Sequence, residues 1–269
     1  MRELEIGIDE AGYGPLLGPL CVSGVASTKL FHESIRDSKM IYRLGGQAAL
    51  LRRCRYYYQG SLNDLFVHSA EQFSREPWFF GKRPDLDLGM IELNDPETHV
   101  QIRAMGVRKF NKMVEHGFNK AEILLSLIED ILGYFLDRLR QRTVLRIHID
   151  RLGGRKDYSG ILSNWGMDID DARVEDQRSH YQGQWRRHSC TVTFLVQGDE
   201  QRHLIAAASC FAKLQRELLM KSFNGWWSQK KPGLEPTAGY YVDGKRFLKT
   251  IEDLMLSHNI HPSLLQRSL

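Results

Sequence analysis

The sequence predicts an α/β protein, and three observations lead to this fold class. Short apolar runs with the alternation of β-strands recur at residues 4–8, 16–26, 144–149 and 191–196. Longer runs with helical spacing of apolar residues lie between or after them, at 98–116, 119–139 and 204–220. Three strand-like runs lead directly into carboxylates beside glycines, so we expect acidic side chains at the ends of strands.

The first strand-like run ends in two adjacent carboxylates, Asp9 and Glu10, followed by Gly12 and Gly14. Adjacent strand residues point to opposite faces, so both acids can face one site only if the strand ends or twists there. The glycines provide such a break, and they let backbone N–H groups come close to a ligand. The alternative is a solvated acidic turn. The strand-like run at 16–26 argues against it, because it places the acids at the end of a hairpin in the sheet.

Composition is that of a globular protein with ample core, since 42% of the 269 residues are hydrophobic and 26% are charged. The net charge of +4 permits an anionic partner without requiring one. The chain starts without an apolar leader and has no run of membrane-spanning length, so we expect a soluble, cytoplasmic protein with no membrane partner, and a monomer. Its four cysteines form no C-x-x-C pair, which favours buried free thiols over structural zinc.

The helical runs have interpretable ends. Residues 98–116 predict one helix that stops at Gly117, and Asn119 followed by Glu122 is typical of a capping box. The helix at 119–139 has a broad apolar face that must be buried. Further helices are predicted at 158–165 and 245–257, and the stretch 225–241 is predicted to be rich in turns.

Several segments leave alternatives open. Residues 28–39 predict a loop or short helix, and 59–96 an irregular segment with packed aromatics around Trp78. The alternating arginines and tyrosines of 47–58 could contact nucleic acid, but an amphipathic element with a solvated face is favoured. The acids between 168 and 176 could be mistaken for a metal site, and a solvated loop is the favoured interpretation.

The strand-end acids together suggest metal chemistry. Asp9 and Glu10, Asp150 and Asp199 offer hard oxygen donors without a His or Cys ligand pattern, which favours Mg²⁺ or Mn²⁺ over zinc. Clustered carboxylates raise one another's pKa, and a cation would neutralise them. Two ions about 4 Å apart would activate a water and stabilise the leaving oxygen of a phosphodiester. Lys39 and Lys213 are candidate phosphate contacts.

Five segments also match a known set of motifs in order and content. They are Gly7 to Pro19 with its three glycines after the acids, Asp37-Ser38-Lys39, His148-Ile149-Asp150, Gly198-Asp199 followed by 205–213, and Pro236 to Tyr240. Together they resemble the type 2 ribonucleases H (ribonuclease HII) over nearly the whole chain, apart from residues 41–96.

The resemblance implies a ribonuclease H-like fold, with a mixed central sheet flanked by helices. It implies one domain over 1–269, with an insertion at 41–96 and a helical C-terminal part, 203–269, that carries substrate contacts. The implied activity is endonucleolytic cleavage of the RNA strand of RNA–DNA hybrids and of ribonucleotides embedded in duplex DNA. The implied metal ligands and catalytic residues are Asp9, Glu10, Asp150 and Asp199, and the implied substrate contacts are Gly12, Tyr13, Gly14, Lys39, Ser209, Lys213 and Tyr240.

One position departs from the family pattern. Tyr13 stands where the family carries Arg or Lys between two glycines, so a cationic phosphate contact is lost, and Arg36 or Arg151 is a candidate replacement. Tyr13 supports one other hypothesis, a nucleic-acid-binding relative that no longer cleaves. A third hypothesis is a different metal nuclease of the same fold, such as a junction resolvase or exonuclease.

Overall fold

The computed structural model describes residues 2–29, 31, 38–58, 76–79 and 97–268. Asp37 and Arg36 lie outside this part of the chain. So do most of residues 59–96, including Phe80.

A mixed sheet of seven strands forms the centre of the molecule. Its spatial order is β3-β2-β1-β4-β7-β6-β5. β4 pairs in parallel with both β1 and β7, and the other pairs are antiparallel. The strands are β1 (Arg2–Ala11), β2 (Leu20–Ser27), β3 (Thr98–Met105), β4 (Thr143–Asp150), β5 (Met167–Val174), β6 (Arg178–Trp185) and β7 (His188–Leu195).

Helices cover both faces of this sheet, which confirms the predicted mixed sheet flanked by helices. They are α1 (Ser38–Tyr57), α2 (Val107–Glu115), α3 (Lys120–Asp137), α4 (Ser159–Asn164), α5 (His203–Lys230), α6 (Tyr241–Thr250) and α7 (Glu252–Ser257). Asn119 caps α3 through the predicted capping box with Glu122. Among the residues described, no helix is long and apolar enough to cross a bilayer.

The alternation of β1 decides which helix covers which side chain. Ile6 and Ile8 are fully buried in the core formed with α3. Gly7 and Asp9 therefore face the opposite side, which α5 covers. At Gly7 the α5 backbone comes so close that a Cβ would lie 2.1 Å from the carbonyl carbon of Leu204. The start of α5 is thus held against the strand that carries the first acids.

The loop between β1 and β2, which contains Gly12 and Gly14 and is called the glycine loop below, packs against the C-terminal part of the chain. Leu16 and Leu17 pack in an apolar cluster with Phe223, Trp227 and Phe247. The cluster also contains Trp78, which is 2% exposed, so part of the 41–96 segment is anchored in the core. The loop after β1 is therefore enclosed by residues from near the end of the chain.

Residues 98–105 correct one expectation: they form β3, and the predicted single helix at 98–116 is wrong. Every second residue, Thr98, Val100, Ile102 and Ala104, is buried, which is the period of a strand. Gly106 then separates the strand from α2, where the helical period begins. The strand pattern of β3 and the helical pattern of α2 are adjacent, so together they resemble one helical run.

Other expectations also change. The acids between 168 and 176 are exposed, as predicted, but most lie on the edge strand β5 rather than in a loop. Charged side chains on an edge strand oppose pairing with another chain. β6 was not predicted, because its polar residues mask the alternation of Ser179, Tyr181 and Trp185. Residues 225–230 continue α5 instead of forming turns, and the helix predicted at 245–257 is divided between α6 and α7.

Candidate metal centre

The sheet register brings the first two acids together. Ile8 of β1 pairs with Ile149 of β4 in parallel, so the next residues, Asp9 and Asp150, lie side by side at the carboxyl ends of neighbouring strands. Adjacent strands are about 4.8 Å apart, which is within reach of one shared cation. Residues separated by 141 positions in the sequence are therefore neighbours because of strand pairing alone.

Glu10 completes a compact group. One oxygen each of Asp9, Glu10 and Asp150 lie within 4.8 Å of one another. Asp9 is buried, at 7% exposure, while Glu10 and Asp150 are partly exposed. The amide of Glu10 donates a 2.7 Å hydrogen bond to Asp9 Oδ1, which fixes the Asp9 carboxylate relative to its neighbour. The group thus has a buried base and an open side.

Asp199 arrives from the turn after β7. It lies in a single 3₁₀ turn, Gly198–Glu200, and lines the same cleft as the other acids, although it is not part of the close group of three. The amide of the preceding residue, Gly198, donates a 2.7 Å hydrogen bond to Asp150 Oδ1. The turn therefore positions Asp150 directly and places Asp199 beside it.

Burial and mutual repulsion act on these carboxylates. Burial raises the pKa of Asp9 well above its usual value, and the charges of Glu10, Asp150 and Asp199 raise it further, while a hydrogen bond from Ser209 acts in the opposite direction. Burial likewise raises the pKa of Asp150 to about 7, against the opposing amide of Gly198. Several like charges in a buried site are unfavourable alone, so this oxygen-donor set fits a divalent cation such as Mg²⁺ or Mn²⁺.

Two glycines border the acids and differ in their surroundings. Gly12 has a φ of +91°, and a Cβ there would lie 2.6 Å from both Arg216 Nε and the carbonyl oxygen of Pro19. Gly14 is exposed in the cleft, and a Cβ there would meet no atom within 4 Å. Packing within the chain therefore requires glycine at 12 and leaves open space at 14.

Two buried arginines donate hydrogen bonds to backbone carbonyl oxygens in and next to this loop. Arg267, 1% exposed, donates to the carbonyl oxygens of Gly12 at 2.6 Å and Gly18 at 2.7 and 2.9 Å. Arg216, 2% exposed, donates to that of Ala238 at 2.8 Å. Neither residue is among the site residues that the sequence predicts. A signal for Arg216 is its position three residues after the predicted site residue Lys213, which places both on the same side of α5.

The remaining predicted site residues also reach the cleft, which has a volume of about 250 Å³. The hydroxyl of Ser209 shares a 2.8 Å hydrogen bond with that of Ser38. Lys213 Nζ lies 2.7 Å from Glu217 Oε1, and Tyr240 is 55% exposed at the start of α6. The predicted residues that line the cleft are Asp9, Glu10, Gly12, Tyr13, Gly14, Lys39, Asp150, Asp199, Ser209, Lys213 and Tyr240.

Comparison with known proteins finds a relative that is similar over most of the chain. The chain is 24% identical over 250 residues to ribonuclease HII of Methanococcus maripaludis, which covers 92% of this chain and 77% of that protein. The resemblance to ribonuclease HII is confirmed. No family model matches the chain.

Solved structures of the same kind of enzyme align with the chain at low identity. Ribonuclease HII in its complex with PCNA from Archaeoglobus fulgidus has a TM-score of 0.48 and 17% identity, covering 98% of this chain and 93% of that one. Ribonuclease H2 from Pyrococcus horikoshii has a TM-score of 0.46 and 16% identity, covering 97% and 92%.

Proposed function

We propose that the protein is an endoribonuclease that uses divalent cations to cleave the RNA strand of RNA–DNA hybrids and ribonucleotides embedded in duplex DNA. The main support is the group formed by Asp9, Glu10 and Asp150, whose oxygens converge within 4.8 Å beside a glycine loop. The similarity to ribonuclease HII over 92% of the chain supports the same reaction. In this proposal the protein acts as a cytoplasmic monomer, in DNA replication and repair.

Asp9, Glu10 and Asp150 would hold the cation, with Asp199 at the side of the cleft available to a second. A bound Mg²⁺ or Mn²⁺ supplies an activated water and stabilises charge on the phosphodiester. The chain's own contribution is to fix the carboxylates: the amide of Glu10 orients Asp9, and the amide of Gly198 orients Asp150. Fixed donors need no rearrangement during the reaction, which favours catalysis.

Substrate selection is proposed for the opposite side of the cleft. The backbone of Gly12, Tyr13 and Gly14 would contact the 2′-hydroxyl, which distinguishes RNA from DNA. The open space at Gly14 supports this role, because a side chain there would occupy the path of an approaching sugar. Tyr240 would stack on the neighbouring sugar, since its ring is exposed in the same cleft.

Three cleft residues with charged or hydroxyl groups complete the proposed substrate contacts. Lys39 and Lys213 would contact phosphate. Ser209 would support Asp9 through its hydrogen bond. These residues come from α1 and α5, so one domain over 1–269 would contribute both the acids and, through its C-terminal part at 203–269, the substrate contacts.

The direct test is cleavage of a DNA duplex that contains one ribonucleotide, with Mg²⁺ or Mn²⁺. We expect a cut at the ribonucleotide by the wild type, and a loss of kcat of about a hundredfold or more in Asp9→Asn and Asp150→Asn, because each change removes a metal ligand. Asp171→Asn, which removes an exposed acid on β5, is the matched control and should cleave normally. No cleavage by the wild type with either cation, or variants as active as the control, would reject the proposal.

One observation keeps a second candidate in view. Tyr13 places a neutral side chain on the loop that faces the substrate, which suits a protein that binds hybrids without cutting them. Tight binding of hybrid duplex with no turnover under either cation would favour this candidate. Branched and single-stranded substrates in the same panel would identify a resolvase-like or exonuclease activity.

A further inference from the structure

The glycine loop has a neutral residue at its tip but a cation next to it. The Tyr13 ring lines the cleft and is partly buried. Lys120 Nζ lies over that ring, 4.3 Å from its centroid. At this distance an ammonium group is attracted to the face of the ring, so the ring also fixes where the charge sits.

The position of Lys120 is unfavourable for the helix that carries it. Lys120 is the first residue of α3, where the helix dipole favours negative charge and opposes a cation. The capping box of Asn119 and Glu122 satisfies this helix end without any help from the lysine. Helix stability therefore does not explain why position 120 is a lysine.

The surroundings of Lys120 connect it to the acidic site. Burial, and then the charge of Arg267, lowers the pKa of Lys120, whereas the charge of Glu10 raises it. The charges of Glu10, a proposed metal ligand, and of Arg267, which binds the Gly12 carbonyl oxygen, thus both act on this lysine. Lys120 is thus a partly desolvated cation next to the glycine loop, and such a cation attracts anions.

The cation candidates suggested by the sequence do not occupy this position. The Arg151 guanidinium is used in the loop beside β5, where it donates to the carbonyl oxygens of Arg155 and Asp176. Arg36 lies outside the described part of the chain. Lys213, on α5, is paired with Glu217.

We propose that Lys120, held on the ring of Tyr13, supplies the positive charge that attracts a substrate phosphate to the glycine loop. This inference rests on the proposed function, because it assigns the lysine to a nucleic-acid phosphate. The loop would then read the sugar with its backbone, while the charge comes from a different element, the start of α3.

The test is Lys120→Met, which keeps an unbranched side chain one atom shorter than lysine and removes the charge. On the single-ribonucleotide duplex we expect KM to rise about fivefold to tenfold with kcat within about twofold, because a phosphate contact mainly affects binding. The salt dependence of hybrid binding should lose about one unit of slope. Lys120→Arg should stay near wild type, and Tyr13→Arg in the Lys120→Met background should restore KM by placing the charge on the loop itself.

Lys230→Met is the matched control. Lys230 Nζ also lies over an aromatic ring, 4.1 Å from the centroid of Trp226, but it is 14 residues beyond Arg216 on α5, about 20 Å along the helix. An unchanged KM in Lys120→Met, or an equal rise in Lys230→Met, would overturn the inference. If the wild type does not cleave, the proposed function fails separately. Binding of hybrid duplex then decides: weaker binding by Lys120→Met supports the inference, and equal or absent binding overturns it.

Discussion

Gly12 and Gly14 are two residues apart, but the packing of the chain requires glycine only at position 12. Gly12 has a left-handed φ and is in contact with Arg216 and Pro19, so any side chain would be strained there. Gly14 has an ordinary φ and open space around it. The fold therefore does not account for the absence of a side chain at 14, whereas the proposed contact with a sugar does.

This difference predicts separate effects of two substitutions. Gly14→Ala should change the free energy of unfolding by no more than about 0.5 kcal/mol, as at an unconstrained surface position, but should lower kcat/KM on a ribonucleotide substrate at least tenfold. Gly12→Ala should reduce stability. Denaturant unfolding and cleavage kinetics measure both quantities. Full activity of Gly14→Ala would contradict the proposed contact with the sugar.

The cysteines give a pH-dependent prediction at the same scale. All four are free and buried, as the sequence predicted, and burial raises the pKa of Cys21 and Cys190 to about 12. In the unfolded chain these thiols ionise near pH 9, so the folded state holds more protons between pH 9 and 12, and stability should fall as pH rises through this range.

Reaction with a thiol reagent measures the burial of the four cysteine side chains. At pH 8 the native protein should react slowly, and four thiols should react rapidly after unfolding in urea, since the thiolate is the reactive form. Rapid modification of one or more thiols in the native state would show that the burial of these side chains is described incorrectly.

At the scale of elements, the contact between β1 and α5 sets the geometry of the site. β1 carries Asp9 and Glu10, and α5 carries Ser209 and Lys213. The two elements touch at Gly7, where no side chain fits. The Ser23 hydroxyl of β2 adds a 2.8 Å hydrogen bond to the carbonyl oxygen of Ala208. The distance between the acids and the α5 side chains is thus fixed by backbone packing.

Gly7→Ala should therefore destabilise the protein by about 2 kcal/mol or more, because the methyl group would collide with backbone that cannot move alone. Cleavage should also weaken, since a shift of α5 by about 1 Å would displace Ser209 and Lys213. The control is Gly133→Ala, in the interior of α3 with no atom within 4 Å, which should stabilise by up to about 1 kcal/mol. Urea unfolding of both variants distinguishes these cases, and a Gly7→Ala variant as stable as wild type would contradict the packing.

Elements with local signals were predictable, and elements defined by their neighbours were not. The capping box at Asn119 and the apolar run of β4 are visible in the sequence and occur in the structure. β3 was interpreted as helix because its alternation runs directly into the helical pattern of α2. β6 carries few apolar residues, so its pairing with β7 rather than its composition makes it a strand.

The whole molecule brings the acids together through strand order. Asp150 lies next to Asp9 only because β4 pairs with β1, and Asp199 joins them because β7 follows β4 in the sheet. The spacing of these acids along the chain does not indicate that they are close in space. Their convergence was therefore predictable from the resemblance and not from periodicity. The hydrogen bond from Arg267 to the Gly12 carbonyl oxygen could not be predicted either, because 255 residues separate the two.

Locating a bound cation would show whether these separate strand ends form one site for divalent cations. Crystals of the protein soaked in MnCl₂ would be measured at the manganese absorption edge. Anomalous density should appear in the cleft, on the order of 2 Å from carboxylate oxygens of Asp9, Glu10 and Asp150, and disappear in Asp150→Asn. Manganese bound only at the exposed acids of β5, with no anomalous density at Asp9, would contradict the account.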